Sequence, residues 1–131
     1  MANSIPSAQV TALMHAGLLV SDLARAKGFY ESVLGLRLYP NRPDLPYPGA
    51  WYDLGGGQQL HLMQLHNPDE ASVRPEHGGR DRHIALGVGN MGALKSRLDA
   101  AGVNYTASQS GRAALFCHDQ DMNTLEFVEI R

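Results

Sequence analysis

The chain has little of several features that would identify whole classes of protein. It contains one cysteine, Cys117, so an internal disulfide and paired-cysteine redox chemistry are excluded. No apolar run approaches the roughly 18 residues needed to cross a bilayer. The opening "MANSIPSAQV" has neither a positive start nor a long apolar segment, so it does not resemble a secretory signal. We therefore expect a cytoplasmic protein.

The chain also lacks a large excess of positive or negative charge. The formal net charge is -2 at pH 7 and the pI is about 6.3. No basic stripe points to a nucleic acid, and no cationic amphipathic helix points to a membrane surface. With 131 residues, 44% hydrophobic and 18% charged, the chain has the size and composition of one globular domain.

What the chain does contain is an internal repeat. The stretch "MHAGLLVSDL" (14–23) resembles "RHIALGVGNM" (82–91), and aligning His15 with His83 places Asp22 on Asn90. A segment with helical spacing follows each stretch, beginning at a suitable N-cap residue, Asp22 or Asn90. Glycines close both segments, Gly35 in the first and Gly102 in the second.

Strand-like runs complete both halves. They are "LRLYP", "AWYDLG" and "QQLHLMQL" in the first, and "VNYTA", "AALFCHD" and "TLEFVEI" in the second. Each half thus has the order βαβββ, which predicts an α+β fold of two modules, about 11–66 and 81–130. We expect residues 11–131 to form a single domain, because a module of this size buries too little surface alone. Residues 1–10 would be an N-terminal extension, and "HNPDEASVRPEHGGRD" a connecting loop.

Four residues at repeat-equivalent places can bind a metal. His15 and His83 open the first strand of each module, while His61 and Glu126 lie in the last strand of each. A pseudo-twofold relation between the modules would bring such positions together. Alternation puts small residues beside both histidines, and a glutamate inside an apolar run needs a partner or a metal. We expect structural or solvated roles for the remaining histidines, which are His66, His77 and His118.

The pattern as a whole resembles the vicinal oxygen chelate superfamily of glyoxalases, bleomycin resistance proteins and extradiol dioxygenases. The matching segments are "HAGLLVSDLARAKGFYESVLGLRL", "LHLM", "RHIALGV" and "HDQDMNTLEF". The resemblance implies that two βαβββ modules form a half-closed cup of eight strands. In this superfamily the modules of one chain often pair with those of a second chain, so we expect a homodimer, and the sequence leaves open whether the cup is built within one chain or across two. The resemblance also implies that His15, His61, His83 and Glu126 hold a divalent metal. Two departures are Gln120 and Met122, where the family segment has proline and glycine.

The resemblance favours a lyase or isomerase of the glyoxalase type. Imidazole and carboxylate ligands suit Ni, Zn, Co, Mn or Fe. Four protein ligands leave two positions for a small substrate that chelates through two oxygens, and Glu126 is the candidate catalytic base for proton transfer. Glyoxalase I usually has a glutamate at the place of His61, so the glyoxalase assignment is kept in the broad sense.

Two other functions stay open. His15, His83 and Glu126 have the ligand types of a ring-cleaving, non-haem iron dioxygenase. A non-enzymatic drug-binding protein of the bleomycin resistance type is the other alternative, with aromatic residues lining the cup. The predicted substrate-binding residues are Trp51, Tyr105 and Arg112, the last for an anionic group.

Overall fold

The computed structural model describes residues 4–130, so Met1–Asn3 of the predicted N-terminal extension and Arg131 lie outside the described residues. The strands are His15–Val20 (β1), Arg37–Leu38 (β2), Gly49–Gly55 (β3), Gln58–Gln64 (β4), Ile84–Val88 (β5), Tyr105–Ala107 (β6), Ala114–His118 (β7) and Thr124–Glu129 (β8). The helices are Leu23–Lys27 (α1), which continues as a π-helix over Gly28–Val33, and Met91–Ala100 (α2), with a 3₁₀ turn at Gly78–Arg80 in the connecting loop.

The eight strands form two sheets with the same topology. Their strand orders are β1-β4-β3-β2 and β5-β8-β7-β6. In each sheet the first strand of the module lies at one edge and pairs in parallel with the last strand, and the remaining neighbours are antiparallel. The predicted α+β fold and the βαβββ repeat are confirmed. The limits of the single domain, and the homodimer, stay predictions.

Each sheet has one apolar face and one open face. Alternate residues of β4 and β8, among them Leu60, Leu62 and Leu125, are fully buried in one hydrophobic cluster with residues of the helices. The intervening residues point the other way, and small neighbours sit beside them. Gly17 pairs with His61 across β1 and β4, and Ala85 pairs with Glu126 across β5 and β8. This alternation places both metal-capable strand positions on open faces.

The caps predicted from the sequence are present. The Asp22 side chain accepts a hydrogen bond from the Arg25 backbone N–H, and Asn90 accepts one from Ala93. The first helix differs from the expected single α-helix because its second half is a π-helix. The wider turn, with the Leu34 N–H bonded to the Phe29 carbonyl, lets the consecutive residues Phe29 and Tyr30 both be buried.

Polar contacts also tie the two modules together. The Tyr30 hydroxyl donates to the buried Asp119 carboxylate at 2.7 Å, and the Asn123 side chain donates to the Leu19 carbonyl at 2.9 Å. On α2, the Arg97 guanidinium donates to the carbonyls of Ser32 and Val33, at the C-terminal end of the π-helix. That end would otherwise leave carbonyls unpaired. Among the described residues, no helix has the length and hydropathy required to cross a membrane.

Candidate metal centre and active site

The first candidate pair is His15 and His61, on the neighbouring strands β1 and β4. Their rings stack, with centroids 4.1 Å apart and an angle of 16° between planes. His61 is 8% exposed, whereas His15 lies at the exposed start of its strand. Gly17 is the cross-strand partner of His61, and its lack of a side chain makes room for Met63, because a Cβ there would lie 3.1 Å from the end of the Met63 side chain. We call the pair of His15 and His61 the first half-site.

Two cross-strand neighbours fix the His61 ring. Trp51 lies opposite His61 across β3 and β4, and the two rings are parallel with centroids 3.9 Å apart. The next pair along the same face is Asp53 and Gln59. The His61 Nε2 is 2.9 Å from the Gln59 Oε1, and the Gln59 amide nitrogen donates to Asp53 at 3.0 Å. His61 is therefore held by ring stacking and by a hydrogen-bonded chain.

The environment keeps His61 uncharged. Burial, followed by the positive charges of His15 and Arg42, lowers the pKa of His61 from 6.5 to about 4. Burial has this effect because it disfavours the charged form of an imidazole. At neutral pH the ring is consequently neutral and has a lone pair on one nitrogen, the form in which histidine binds metals.

The second candidate pair is His83 and Glu126, which we call the second half-site. Glu126 is 4% exposed, and its Oε1 lies 3.3 Å from the Nε2 of His83. Its other oxygen, Oε2, accepts a hydrogen bond from Arg112 at 2.9 Å. Phe116 is directly opposite Glu126 on β7, and its ring packs edge-on against His83. A buried carboxylate is thus balanced by one guanidinium and faces one imidazole.

The tautomer of His83 makes this second half-site suitable for a cation. The Nδ1 of His83 lies 2.7 Å from the Asp81 carbonyl, which can only accept, so Nδ1 carries the proton. In the neutral ring, Nε2 then presents a lone pair to a carboxylate oxygen 3.3 Å away. Two acceptors in this position require a proton or a metal ion between them. A histidine that donates its other ring N–H to a backbone carbonyl is also the usual arrangement in metal sites.

The four predicted metal ligands lie in two separate pairs. Within residues 4–130 of one chain, no three His, Cys, Asp or Glu side chains are close enough to hold a metal ion together. The first half-site is on the open face of one sheet and the second on the open face of the other. A single chain therefore contains two half-sites, each with two candidate ligands.

The predicted substrate-binding residues have different locations. Arg112 contacts Glu126, and Trp51 contacts His61. Tyr105 is not with them: it pairs with Cys117 on β7, packs against the hydrophobic core and bonds to Asp99. Residues 105–107 form the last strand of the sheet order, and the register places Tyr105 on its apolar face.

Three residues of the site were not identified from the sequence. Asp53 and Gln59 hold His61, and Asp81 holds His83 through its carbonyl while its carboxylate pairs with Arg74 at 2.7 Å. A regular hairpin counted from the "GGG" turn would pair Leu54 with Gln59, but a bulge between Asp53 and Gly55 shifts the register by one residue, so the pairing of Asp53 with Gln59 was not accessible from the sequence. No sequence signal marks the Asp81 carbonyl.

A cavity of about 320 Å³ adjoins the second half-site. Its lining includes His77, Arg80, His83, Ser110, Arg112 and Glu126. His77, for which we expected a structural role, packs against Phe116. A larger groove of about 900 Å³ is lined by His66 and His118 but by none of the four candidate ligands. The smaller cavity is therefore the one placed to admit a substrate to Glu126.

Comparison with known proteins identifies the family. The family model of the glyoxalase/bleomycin resistance protein/dioxygenase superfamily matches residues 12–127, so the chain belongs to this superfamily. A lactoylglutathione lyase of Haemophilus influenzae is 31% identical over 124 residues, covering 89% of this chain and 91% of the relative.

Solved structures agree on the fold. A glyoxalase/dioxygenase of Nostoc punctiforme superposes with a TM-score of 0.74 at 16% identity, covering 100% of this chain and 99% of the other. The E126Q mutant of the fosfomycin resistance protein FosX of Listeria monocytogenes, solved with Mn(II) and a dihydroxypropylphosphonic acid, has a TM-score of 0.70 at 16% identity, covering 94% and 95%.

Proposed function

We propose that this protein is a divalent-metal-dependent enzyme of the glyoxalase type, a lyase or isomerase that moves a proton on a small substrate. The observation that carries the proposal is the second half-site, where Nε2 of His83 and the carboxylate Oε1 of Glu126 face one another at 3.3 Å. The similarity to a lactoylglutathione lyase over most of both chains supports the same class of reaction.

A complete site needs the two half-sites of different chains. Each half-site offers two ligands on the open face of its sheet. Hydrogen bonds between the modules fix the two sheets relative to one another, with the half-sites apart. We propose a homodimer in which His15 and His61 of one chain meet His83 and Glu126 of a second chain. Such a twofold arrangement would give two equivalent sites per dimer.

The residues fit a metal of the Ni, Zn, Co, Mn or Fe group, because three imidazoles and one carboxylate are ligands that these ions accept. A bound metal would polarise a carbonyl oxygen of the substrate as a Lewis acid. Glu126 would remove a proton from the carbon beside that carbonyl and return it to the adjacent atom, so that no other reactant is consumed. His61 and His83 would remain neutral ligands.

Arg112 has two roles in the proposal. Its hydrogen bond to Oε2 of Glu126 leaves Oε1 as the oxygen that faces His83. Its side chain is 58% exposed and also lines the cavity beside Arg80, so it can bind an anionic group of the substrate. Trp51 as a substrate contact stays a prediction. For Tyr105, substrate contact would require a change in its packing against the core.

The first experiment measures metal content and asks which chain supplies each ligand. Metal per chain is determined by elemental analysis after loading the untagged protein with Ni, Co, Mn, Zn or Fe(II) and desalting. His15→Ala and Glu126→Gln chains are then unfolded, mixed in equal amounts and refolded. In a shared site, a mixed dimer has one intact and one doubly damaged site, so random pairing restores about a quarter of the metal.

The outcomes separate the candidate functions. About one metal per wild-type chain, with recovery on mixing, supports the proposal. Metal binding without recovery would locate the site within one chain, and preference for iron would favour the dioxygenase. No retained metal in the wild type would contradict the enzyme proposal and favour a drug-binding protein. Refolded wild-type protein, mixed with itself, controls for loss during refolding.

A further inference from the structure

We infer that Asp53 and Gln59 are positioning residues that fix both the proton and the orientation of His61, and thereby make Nδ1 its metal-binding nitrogen. This inference rests on the proposed metal site. It concerns two residues to which neither the family pattern nor the predicted ligand set gives a role. The evidence is a chain of three side chains on one sheet face, linked by contacts of 2.9 Å and 3.0 Å.

Asp53 determines which group donates in each of the two hydrogen bonds. A carboxylate can only accept hydrogen bonds, so the group of Gln59 that faces Asp53 is its NH₂. The Gln59 carbonyl oxygen consequently faces His61. Because that oxygen is also an acceptor, the ring nitrogen 2.9 Å away must carry a proton. His61 is thus the Nε2–H tautomer, and its lone pair is on Nδ1.

Stacking removes the remaining freedom of the ring. His61 lies between Trp51 at 3.9 Å and His15 at 4.1 Å, with angles of 2° and 16° between planes. These contacts fix the plane of the ring, but a half-turn about the Cβ–Cγ bond would keep that plane and leave both stacks intact. The hydrogen bond to Gln59 distinguishes the two half-turn orientations. The plane of the His61 ring is therefore determined by Trp51 and His15, and its orientation and the position of its proton are determined by Gln59.

Direct cross-strand pairing explains why these neighbours are present. Trp51 is opposite His61 and Asp53 is opposite Gln59, two successive pairs on the same face of β3 and β4. One hairpin therefore carries a ligand and the residues that orient it. Outer groups that hold a ligating histidine in this way commonly change metal affinity by about 10–100-fold when they are removed.

The test begins with metal-free protein. Two-bond ¹H–¹⁵N spectra of the EDTA-treated, ¹⁵N-labelled chain at pH 7 show which imidazole nitrogen is protonated, with His61→Gln used to assign the signals. We expect Nε2–H for His61 in the wild type, and a mixture of tautomers in Gln59→Leu. Asp53→Asn should have a similar effect, because an amide can donate to Gln59 and allow its side chain to reverse. A wild-type Nδ1–H tautomer would overturn the inference.

The second measurement is the metal affinity, which is determined from the fluorescence of Trp51. The chain has one tryptophan, and the ring of Trp51 lies 3.9 Å from that of His61, so bound Co²⁺ or Ni²⁺ should quench it. We expect the Kd of Gln59→Leu to rise about 10–100-fold. Gln58→Leu is the matched control, since Gln58 is adjacent on β4 but bonds to the Leu13 carbonyl instead. Thermal unfolding of each variant verifies that it is folded.

The outcomes distinguish this inference from the proposed function. If metal binds and Gln59→Leu binds it equally or more tightly, the metal site stands but Nδ1 is not the ligand, and the inference is wrong. If the wild type binds neither Co²⁺ nor Ni²⁺, the proposed function fails together with any role of Gln59 toward a metal. The spectra would then still establish whether Asp53 and Gln59 select the tautomer.

Discussion

The two half-sites occupy equivalent strands, but different interactions stabilise them. In the first, the rings of Trp51, His61 and His15 stack, and the charge of His61 is suppressed. In the second, a buried carboxylate is paired with a guanidinium and an imidazole. The repeated topology thus preserves the positions of the candidate ligands, while the electrostatics around them differ. In the proposed site, the first half-site would contribute imidazole nitrogens and the second the anionic ligand and the base.

The largest expected difference between the halves comes from replacing the carboxylate. Glu126→Gln keeps the shape but removes the proposed base and the anionic ligand, so we expect proton transfer to slow by about 10²-fold or more. His15→Gln removes one candidate imidazole ligand and should slow it less. Exchange of the substrate C–H with deuterium, measured by NMR, gives the rates.

Glu76→Gln, in the connecting loop, is the control for a change of one surface charge. Equal losses in Glu126→Gln and His15→Gln would show that both residues act only as ligands. A normal rate in Glu126→Gln would exclude it as the base.

The lowered pKa of His61 in the first half-site should affect how the stability of the protein depends on pH. The folded state lowers the pKa of His61 from 6.5 to about 4, so between these values the unfolded chain binds more protons. Stability is therefore complete above pH 6.5 and falls as pH decreases toward 4, by up to about 3 kcal/mol. Urea unfolding of metal-free protein at pH 4–7 measures this loss, which should largely disappear in His61→Gln.

His66→Gln is the matched control, because His66 is exposed in the loop after β4. An unchanged pH dependence in His61→Gln would show that the loss arises elsewhere in the chain.

The smallest effect concerns the turns that precede the last strand of each module. In the first, Gly55, Gly56 and Gly57 all have positive φ, whereas the second has Met122 at φ 63. A side chain is strained in this conformation, so we expect Met122→Gly to stabilise the protein by about 1 kcal/mol or less. Gly56→Ala, at φ 60, should be destabilising by a similar amount. Urea midpoints test both, and a loss of stability in Met122→Gly would contradict the argument.

The sequence predicts the modules well because their signals are local. The caps Asp22 and Asn90, the turn glycines and the alternation around His61 and Glu126 each depend on a few neighbouring residues. The π-helix was not predicted, because it depends on burying Phe29 and Tyr30 together against distant strands. The separation of the four ligands into two pairs was also inaccessible, since it depends on how the modules are oriented. Tyr105 illustrates the same limit, because its face is set by pairing with Cys117.

The parallel pairing at one edge of each sheet has a consequence for folding. β1 pairs with β4, and β5 with β8, so each module is closed by its own first and last strands. The hairpins β3-β4 and β7-β8 can form early from local contacts, but each parallel pair must wait for a long loop to close. During synthesis the first module has all its strands once Gln64 has emerged, before any strand of the second exists. Because one hydrophobic cluster contains residues of both modules, we expect the stacked histidines of the first module to stay loosely ordered until the second module has been synthesised and has packed against it.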